Sequence, residues 1–307
     1  MNYTLHQLQV FLKVSEKQSI TLAAEELFLT QPAVSIQLKN FQDQFPIPLT
    51  EVIGRKLFIT EFGKEIAEAA QKILDEVHAI NYRTLAYQGN LSGRIKISVV
   101  STGKYLMPFF LTDFMRQHEG LELIMDVTNK LKVVRALEKN EIDFALVSVL
   151  PEHLQIDRVE LMENKLFFVG GTQEELKKSH SKRHLFETRP LIYREQGSAT
   201  RNAMEAFISE NNFKTIKKME LTSNEAVKQA VVSGLGYSIM PLIGIKNEIK
   251  NNDLRIVKVS GLPISTTWNL IWLKSKKLSP AATAFLEYLN EEKEAIIQKH
   301  FSWIKEY

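Results

Sequence analysis

The chain has 307 residues, which allows two or three compact domains at roughly 150 residues each. Hydrophobic residues make up 44% and charged residues 24%, the proportions of an ordinary globular protein, so disorder and fibrous structure are excluded for most of the chain. The absence of cysteine excludes disulfide frameworks, thiolate metal sites and cysteine nucleophiles. A net charge of +3 is too small to indicate nucleic-acid binding by itself.

The N-terminus and the apolar runs bear on where the chain works. Residues 1–7 lack the order of basic and then apolar residues that marks a signal peptide. No apolar run approaches the roughly 18 residues that span a bilayer, because charged residues interrupt every candidate. We therefore expect a soluble, cytoplasmic protein that has no membrane partner.

The first 60 residues predict three short helices and a hairpin. Ser19 or Thr21 can cap the second helix. Thr30 is a natural N-cap for the third, with Pro32 in the first turn, where its missing N–H costs nothing. Residues 49–60 contain two extended runs that predict the hairpin. The third helix has apolar residues at helical spacing and is followed by two prolines that end it: Val34, Leu38, Phe41 and Phe45, then Pro46 and Pro48.

The second and third helices form a helix–turn–helix, and the third presents a polar face. Gln31, Ser35 and Lys39 lie along this face, near the end where recognition helices meet base edges. Glutamine can make paired hydrogen bonds to adenine, whereas serine and lysine can bind bases or phosphates. Taken alone, such a face is more often only exposed to solvent. Residues 1–60 carry five cations and five anions, so phosphate binding must depend on local placement and helix N-termini.

A long helix without proline is predicted from residue 61 to about residue 88. Ile66, Ile73 and Ile80 lie at intervals of seven, and Ala70 and Val77 follow four residues after the first two. This heptad spacing predicts pairing with a helix of a second copy. The alternative is an amphipathic helix that packs on its own domain. Residues 89–93 then indicate a hinge.

Strands and helices alternate after the hinge. Predicted strands over 94–100, 121–128 and 142–149 are separated by helices over 104–118 and 130–139. A second series has strands over 166–169, 191–194, 217–221 and 237–240, with helices over 199–210 and 224–233. A strand over 268–273 and a helix over 280–299 end the chain. This pattern predicts parallel sheets covered by helices, in two lobes joined by crossing strands.

Enzymatic motifs are nearly absent. The sequence contains no H-E-x-x-H, G-x-S-x-G, Walker A or G-x-G-x-x-G motif. His180 and His184 are neighbours, but they lie in a Lys- and Ser-rich stretch that favours a solvated loop over a metal site. We therefore expect no catalytic residues, no metal and no cofactor.

Polar residues where strands end predict a ligand cleft. Ser101, Thr102, Gly103 and Lys104 follow the first strand and open a helix, where hydroxyls, free N–H groups and one cation favour an anion. The alternative is that such residues only cap their helices, and Arg201 is read either as a ligand contact or as a structural ion-pair residue. The other predicted cleft residues are Thr128, Asn129, Ser148, Ser198 and Thr200.

Several segments together resemble the LysR-type transcriptional regulators. The resemblance covers nearly the whole chain in the expected order, and one segment, residues 101–108, resembles most the regulators of carbon-fixation operons. The segments that carry it are residues 8–11, 19–27, 30–35, the Thr-x-x-Gly run at 60–63, and residues 197–201 and 236–241.

The resemblance implies an α/β protein with a winged helix–turn–helix, a dimerising linker helix and a two-lobed effector domain like periplasmic binding proteins. The expected domains are 1–60 (DNA binding), 61–91 (linker and hinge) and 92–307 (effector binding). Lobe I would comprise about 92–164 and 267–307, and lobe II about 165–266.

The resemblance further implies sequence-specific binding to double-stranded DNA, controlled by a small anionic metabolite, in a homodimer or homotetramer, with RNA polymerase as a candidate partner. Val52 stands where the family often has Arg, so basic contacts of the wing are assigned to Arg55 and Lys56. Alternatives are a solute-binding protein of a transport system and a regulator with a non-responsive cleft. The implied DNA-binding residues are Thr21, Thr30, Gln31, Pro32, Ser35, Lys39, Arg55 and Lys56.

Overall fold

The computed structural model describes residues 2–54, 56–86, 91–173, 182–215 and 217–307. The chain divides into two compact units, Met1–Asn90 and Leu91–Tyr307. The first unit contains α1 (Leu5–Lys17), α2 (Ile20–Leu27), α3 (Gln31–Gln42), β1 (Thr50–Ile53), β2 (Lys56–Ile59) and α4 (Glu61–Ala86). The second contains β3 (Ser92–Val100), α5 (Met107–Gln117), β4 (Gly120–Thr128), α6 (Lys130–Glu138), β5 (Phe144–Val147), β6 (Ile156–Gly171), α7 (Lys182–Thr188), β7 (Leu191–Arg194), α8 (Ala199–Glu210), β8 (Lys218–Leu221), α9 (Asn224–Val232), β9 (Ser238–Pro241), α10 (Lys246–Lys250), β10 (Leu254–Ile256), β11 (Ile264–Leu273) and α11 (Pro280–Phe301).

Hydroxyl caps start the helices of the helix–turn–helix. The Ser19 hydroxyl accepts a hydrogen bond from Leu22 N at 3.3 Å, so Ser19, not Thr21, caps α2. The Thr30 hydroxyl accepts one from Ala33 N at 3.4 Å and caps α3, as predicted. Each cap satisfies an N–H group that has no partner within its helix. The start of the predicted recognition helix is therefore a local property of the sequence.

The third helix is shorter than predicted. It ends at Gln42, although the apolar spacing continues to Phe45. Pro46 has no N–H to donate to the Gln42 carbonyl, and it disfavours helical backbone at the residue before it. Phe45 nevertheless stays in the core, with its ring centroid 5.1 Å from that of Phe41 and 6.1 Å from that of Tyr3.

The Thr-x-x-Gly run joins the hairpin to α4. The Thr60 hydroxyl donates to the Pro48 carbonyl at 2.7 Å and accepts from Gly63 N at 2.9 Å, while Thr60 N donates to the Leu49 carbonyl at 3.1 Å. A Cβ at Gly63 would lie 2.1 Å from the Leu49 carbonyl oxygen. Glycine is therefore required at this position by close backbone packing.

The apolar residues of α4 face two directions. Ala70 and Leu74 are buried in the core of the first unit, and Ile66 packs against that core. Ile73 and Ile80 are 40% and 60% exposed. The helix therefore packs on its own domain through one face, as the alternative interpretation expected, and keeps exposed isoleucines at two predicted heptad positions. Tyr87 to Asn90, which include two of the five residues of the predicted hinge, lie outside the described residues, and Ser92 and Gly93 belong to β3.

The second unit is built on a mixed sheet. Strand β3 pairs in parallel with β4 and β5, as predicted. Strand β11 is antiparallel to residues 156–166 of β6 over its whole length, and β9 and β10 are antiparallel to β6, so the expectation of parallel sheets was wrong here. The separate pair β7–β8 is parallel. Long β6 and β11 are the predicted crossing strands.

Several predicted boundaries were wrong. The helix predicted over 104–118 is a 3₁₀ turn at Gly103–Tyr105 followed by α5, because Pro108 fits only the first turn of a helix. The strand predicted over 166–169 lies in the second half of the 16-residue β6. In the first half of β6, buried residues are interspersed with exposed polar ones. His184 is exposed on α7, not in a loop, and His180 lies outside the described residues. Within the described ranges, no helix combines the length and apolar character that membrane crossing requires.

Candidate DNA interface and effector cleft

The polar face of α3 is exposed in the first unit. Gln31, Pro32 and Lys39 are exposed and Ser35 is half-buried, while Val34, Leu38 and Phe41 on the opposite side are buried. Thr21 is exposed at the second residue of α2. The arrangement leaves Gln31 and Ser35, one turn apart, free to meet base edges near the helix N-terminus.

Sequence reasoning missed one residue of this face. Ile36 is 58% exposed on α3, one turn after Pro32. Apolar side chains in a recognition helix can contact thymine methyl groups in the major groove. An apolar residue at an exposed helical position, where the spacing of Val34 and Leu38 leaves it out of the core, was the signal available in the sequence.

Ion pairs remove part of the positive charge of this unit. Lys13 lies 2.7 Å from a Glu16 carboxylate oxygen and 3.2 Å from one of Glu26, and Lys17 also pairs with Glu26. The hydrogen bond that Lys13 donates to Glu16 is the largest cause of its raised pKa, and the hydrogen bond that Glu26 accepts from Lys17 is the largest cause of the lowered pKa of Glu26. These two lysines are thus compensated within their own unit.

The remaining cations are few and well placed. Within residues 2–54 and 56–60, Lys39 and Lys56 are exposed and have no ion pair. Lys56 begins β2 opposite Ile53 at the end of the hairpin, where Val52 and Ile53 are exposed. Arg55 lies outside the described residues. Of the predicted basic contacts, Lys39 and Lys56 are therefore the exposed cations that the structure describes.

An open cleft lies in the second unit. It is formed where strands β3, β5 and β7 end and where helices α6 and α8 begin, together with the crossing strands β6 and β11. The crossing strands contribute Asn164 and Thr266, whose side chains are joined by a 3.0 Å hydrogen bond from Nδ2 to Oγ1. The lining residues are Val100, Ser101, Thr102, Asn129, Lys130, Ser148, Val149, Asn164, Leu166, Arg194, Ser198, Ala199, Thr200, Ala203 and Thr266.

The structure brings six of the nine predicted cleft residues together in this lining: Ser101, Thr102, Asn129, Ser148, Ser198 and Thr200. Gly103, Lys104 and Thr128 are not part of it. Lys104 Nζ lies 5.0 Å from the centroid of the Tyr105 ring, and a Cβ at Gly103 would meet Leu146 Cδ2 at 2.8 Å. The Thr128 carbonyl accepts a hydrogen bond from the Ser101 hydroxyl at 3.2 Å.

Capping explains some of these polar residues but not others. Asn129 Oδ1 accepts a hydrogen bond from Lys132 N at 3.1 Å, so Asn129 caps α6. Ser198 stands at the N-cap of α8, and Thr102 precedes the 3₁₀ turn, but neither side chain makes a capping bond. Both residues are 95% or more buried and line the cleft. Their hydroxyls are not used as helix caps, which leaves them for a polar ligand.

Two cations of the cleft were missed in the sequence. Arg194 is 4% exposed, ends β7 and pairs with the adjacent Glu195 through Nε at 2.8 Å and Nη2 at 3.0 Å. Lys130 is the first residue of α6, and burial lowers its pKa while the charge of Glu152 opposes that change. Arg194 ends a strand and Lys130 starts a helix. This position in the sequence was the signal that could have identified them as cleft residues.

Arg201 has the structural role that was left open. Its Nε lies 2.9 Å from a Glu205 oxygen, and its Nη1 lies 2.6 Å from Glu220 and donates to the Arg194 carbonyl at 3.0 Å. Arg201 is not among the residues that line the cleft. The ion pair to Glu220 links α8 to β8, and the hydrogen bond to the Arg194 carbonyl links α8 to β7.

Two family models match the chain. The model described as a bacterial regulatory helix-turn-helix protein of the lysR family matches residues 5–64, and the model of the LysR substrate binding domain matches residues 88–294. The first match places a DNA-binding unit before the two-lobed domain, which a solute-binding protein does not need. The predicted winged helix–turn–helix and α/β effector domain are thereby confirmed.

Curated relatives and a solved structure agree with these models. The chain is 39% identical to the HTH-type transcriptional activator CmpR of Synechocystis, over 96% of this chain and 97% of the relative. It is 36% identical to the RuBisCO operon transcriptional regulator of Allochromatium vinosum, over 95% and 97%. The structure of the Synechocystis CcmR regulatory domain in complex with 2-PG matches 66% of this chain and 98% of that chain, with a TM-score of 0.62 and 29% identity. The predicted resemblance to carbon-fixation regulators is therefore confirmed, and the chain belongs to the LysR family of bacterial transcriptional regulators.

Proposed function

We propose that this LysR-family regulator acts in the cytoplasm, controls genes of carbon fixation and catalyses no reaction of its own. We further propose that its effector is a small anion related to 2-phosphoglycolate, bound in the cleft of the second unit. The observation that carries the proposal is the lining itself, in which the hydroxyl residues Thr102 and Ser198 accompany the cations Lys130 and Arg194. The regulator names of the relatives and the 2-PG complex of CcmR support it.

Calorimetric titration of the full-length protein with 2-phosphoglycolate tests the effector assignment. We expect saturable binding and an altered affinity for promoter DNA in the presence of the ligand. A protein that binds only neutral apolar compounds would contradict the proposal, and so would one that turns the ligand over.

The domain boundaries predicted from the sequence are retained in this proposal. Residues 1–60 would bind DNA, 61–91 would link and dimerise, and 92–307 would bind the effector. The division of the chain after Asn90 supports the last boundary, and the position of Asn164 and Thr266 at the cleft supports the division between the two lobes.

We propose that two copies associate through α4. Ile73 and Ile80 stand seven residues apart and remain exposed after α4 has packed on its own domain. Exposed apolar residues at heptad spacing bury most area against an equivalent helix. A dimer also doubles the few phosphate contacts that a single DNA-binding unit offers.

Substitution of the two ends of the α3 face should separate base contact from phosphate contact. Gln31→Ala should cost about 1–3 kcal/mol per DNA-binding unit and relax the preference at one base position, since a paired hydrogen bond to a base is lost. Lys39→Ala should weaken the binding of all DNA sequences alike. It should also reduce the slope of log K against log salt concentration by about one for each DNA-binding unit. Fluorescence anisotropy with operator and scrambled duplexes at several salt concentrations measures both effects.

The matched control for Gln31→Ala is Gln9→Ala, which removes the same side chain from an exposed position of α1. The control protein should bind as the wild type does. Unchanged specificity and unchanged salt slope in both α3 variants would show that this face does not meet DNA.

Thr102→Val should abolish most effector binding without affecting folding. The substitution keeps the volume but removes a hydroxyl, and a hydrogen bond to a charged group contributes about 1.5–3 kcal/mol. Titration of the full-length variant with 2-phosphoglycolate measures the loss. Thr112→Val is the control, because the Thr112 hydroxyl donates to the Pro108 carbonyl outside the cleft. Equal affinity of the Thr102 variant and the wild type would remove this hydroxyl from the site.

A further inference from the structure

We propose that Lys130 and Arg194 recognise the two ends of a doubly anionic effector in different ways. Lys130, which makes no ion pair within the described residues, supplies the positive charge that binds the more highly charged group, a phosphate. Arg194, with its charge already balanced by Glu195, orients the second group, a carboxylate, through its remaining N–H donors. This inference rests on the proposed function and assigns the ligand class that the cleft selects.

The hydrogen bonds of Arg194 define its part. Its Nε and Nη2 bind the two carboxylate oxygens of Glu195, and Nη2 also donates to the Ser101 hydroxyl at 2.9 Å. A guanidinium has five N–H donors, so the two on Nη1 remain, and they have no partner among the described residues. The side chain is almost fully buried and lines the cleft. An anion there would gain directed hydrogen bonds but little net charge.

The environment of Lys130 is different. The side chain is partly buried at the cleft and makes no ion pair or hydrogen bond within the described chain. Burial lowers its pKa, with Glu152 only opposing that change. A partly desolvated ammonium without a partner is unfavourable, and a bound anion would compensate it. The N-terminal end of α6, where Lys130 stands, adds favourable potential for a phosphate.

The charges of the cleft limit the ligand class. Arg194 and Glu195 balance each other, so Lys130 carries the positive charge that faces a ligand, with Glu152 as its acidic neighbour. A ligand with a single anionic group would leave one of the two donor sets without a partner. A small phosphate ester that also carries a carboxylate would occupy both, with the Thr102 and Ser198 hydroxyls binding its remaining oxygens.

The test compares three probes with full-length protein by calorimetry: 2-phosphoglycolate, glycolate and inorganic phosphate. Lys130→Met should lower the affinity for 2-phosphoglycolate and for inorganic phosphate roughly 10- to 100-fold, since one charge-assisted contact is lost. The affinity for glycolate should stay within about twofold of the wild-type value. Lys132→Met is the matched control on α6, exposed and outside the lining. It should leave all three affinities unchanged.

Glu195→Gln probes Arg194 without emptying its buried position. Loss of the balancing carboxylate should raise the affinity for 2-phosphoglycolate and for glycolate roughly 10-fold and leave the affinity for inorganic phosphate within about twofold. Wild-type protein that binds none of the three probes would overturn the proposed effector and this division with it. If the wild type binds 2-phosphoglycolate, two results overturn the division of roles alone. One is that Lys130→Met weakens the binding of glycolate as much as that of phosphate. The other is that either variant binds every probe with wild-type affinity.

Discussion

Full-length protein carrying Ile73→Asp should sediment as a monomer at concentrations where the wild type is dimeric. Ile73 is 40% exposed on α4, so the aspartate is hydrated in the monomer and folding is retained. In a helix pair it would be an unpaired charge in an apolar seam, and a two-fold interface contains the substitution twice. A cost of about 4 kcal/mol corresponds to roughly a 1000-fold weaker association. Analytical ultracentrifugation over a concentration series gives the dissociation constant.

Lys72→Asp is the control for this substitution. Lys72 is exposed and adjacent in sequence, but it lies about 100° around the helix from Ile73. This variant should remain dimeric. If the Ile73 variant were as dimeric as the wild type, α4 would not be the pairing helix, and the exposed isoleucines would need another explanation.

Gly63→Ala should destabilise the first unit by about 3 kcal/mol, at the upper end of overpacking effects. The added Cβ would lie 2.1 Å from the buried Leu49 carbonyl oxygen and 2.9 Å from Ile59 Cγ2, so the hairpin and α4 must move apart. That movement also strains the hydrogen bonds of Thr60 to Pro48 and Gly63. DNA affinity should fall with stability.

Hydrogen exchange followed by mass spectrometry localises this effect, because all three tryptophans lie in the second unit and report nothing on the first. Peptides from α1, α3 and β1 should lose protection, while peptides from residues 91–307 serve as an internal reference. Gly54→Ala is the control: it has open space around its Cβ and only a backbone cost of about 1–2 kcal/mol at φ +56°. Equal protection in the Gly63 variant and the wild type would contradict the packing argument.

Local sequence information determined much of the first unit. Ser19 and Thr30 are short-range caps whose partners lie three residues away, so the starts of α2 and α3 depend on a few neighbouring residues. The ordered motifs also identified the LysR family. In the second unit, β7 and α8 have the predicted bounds because both are short, continuous patterns between clear breaks.

Tertiary structure decided the contacts that join distant residues. The heptad in α4 could not show that Leu74 faces the core while Ile73 stays exposed, because both lie within one broad apolar stripe. The first half of β6 escaped prediction because its exposed polar residues are supported by pairing with β11, more than 90 residues later.

The sequence by itself determined that this protein has a helix–turn–helix followed by an α/β domain whose strand ends carry hydroxyls. It did not determine which cation lies at those hydroxyls. Lys104 follows the predicted cleft residues directly, yet its ammonium lies over Tyr105, whereas Lys130 and Arg194 reach the cleft from other elements. Spacing along the chain places side chains on a local element, but only the packing of separate strands and helices decides which of them share a cavity.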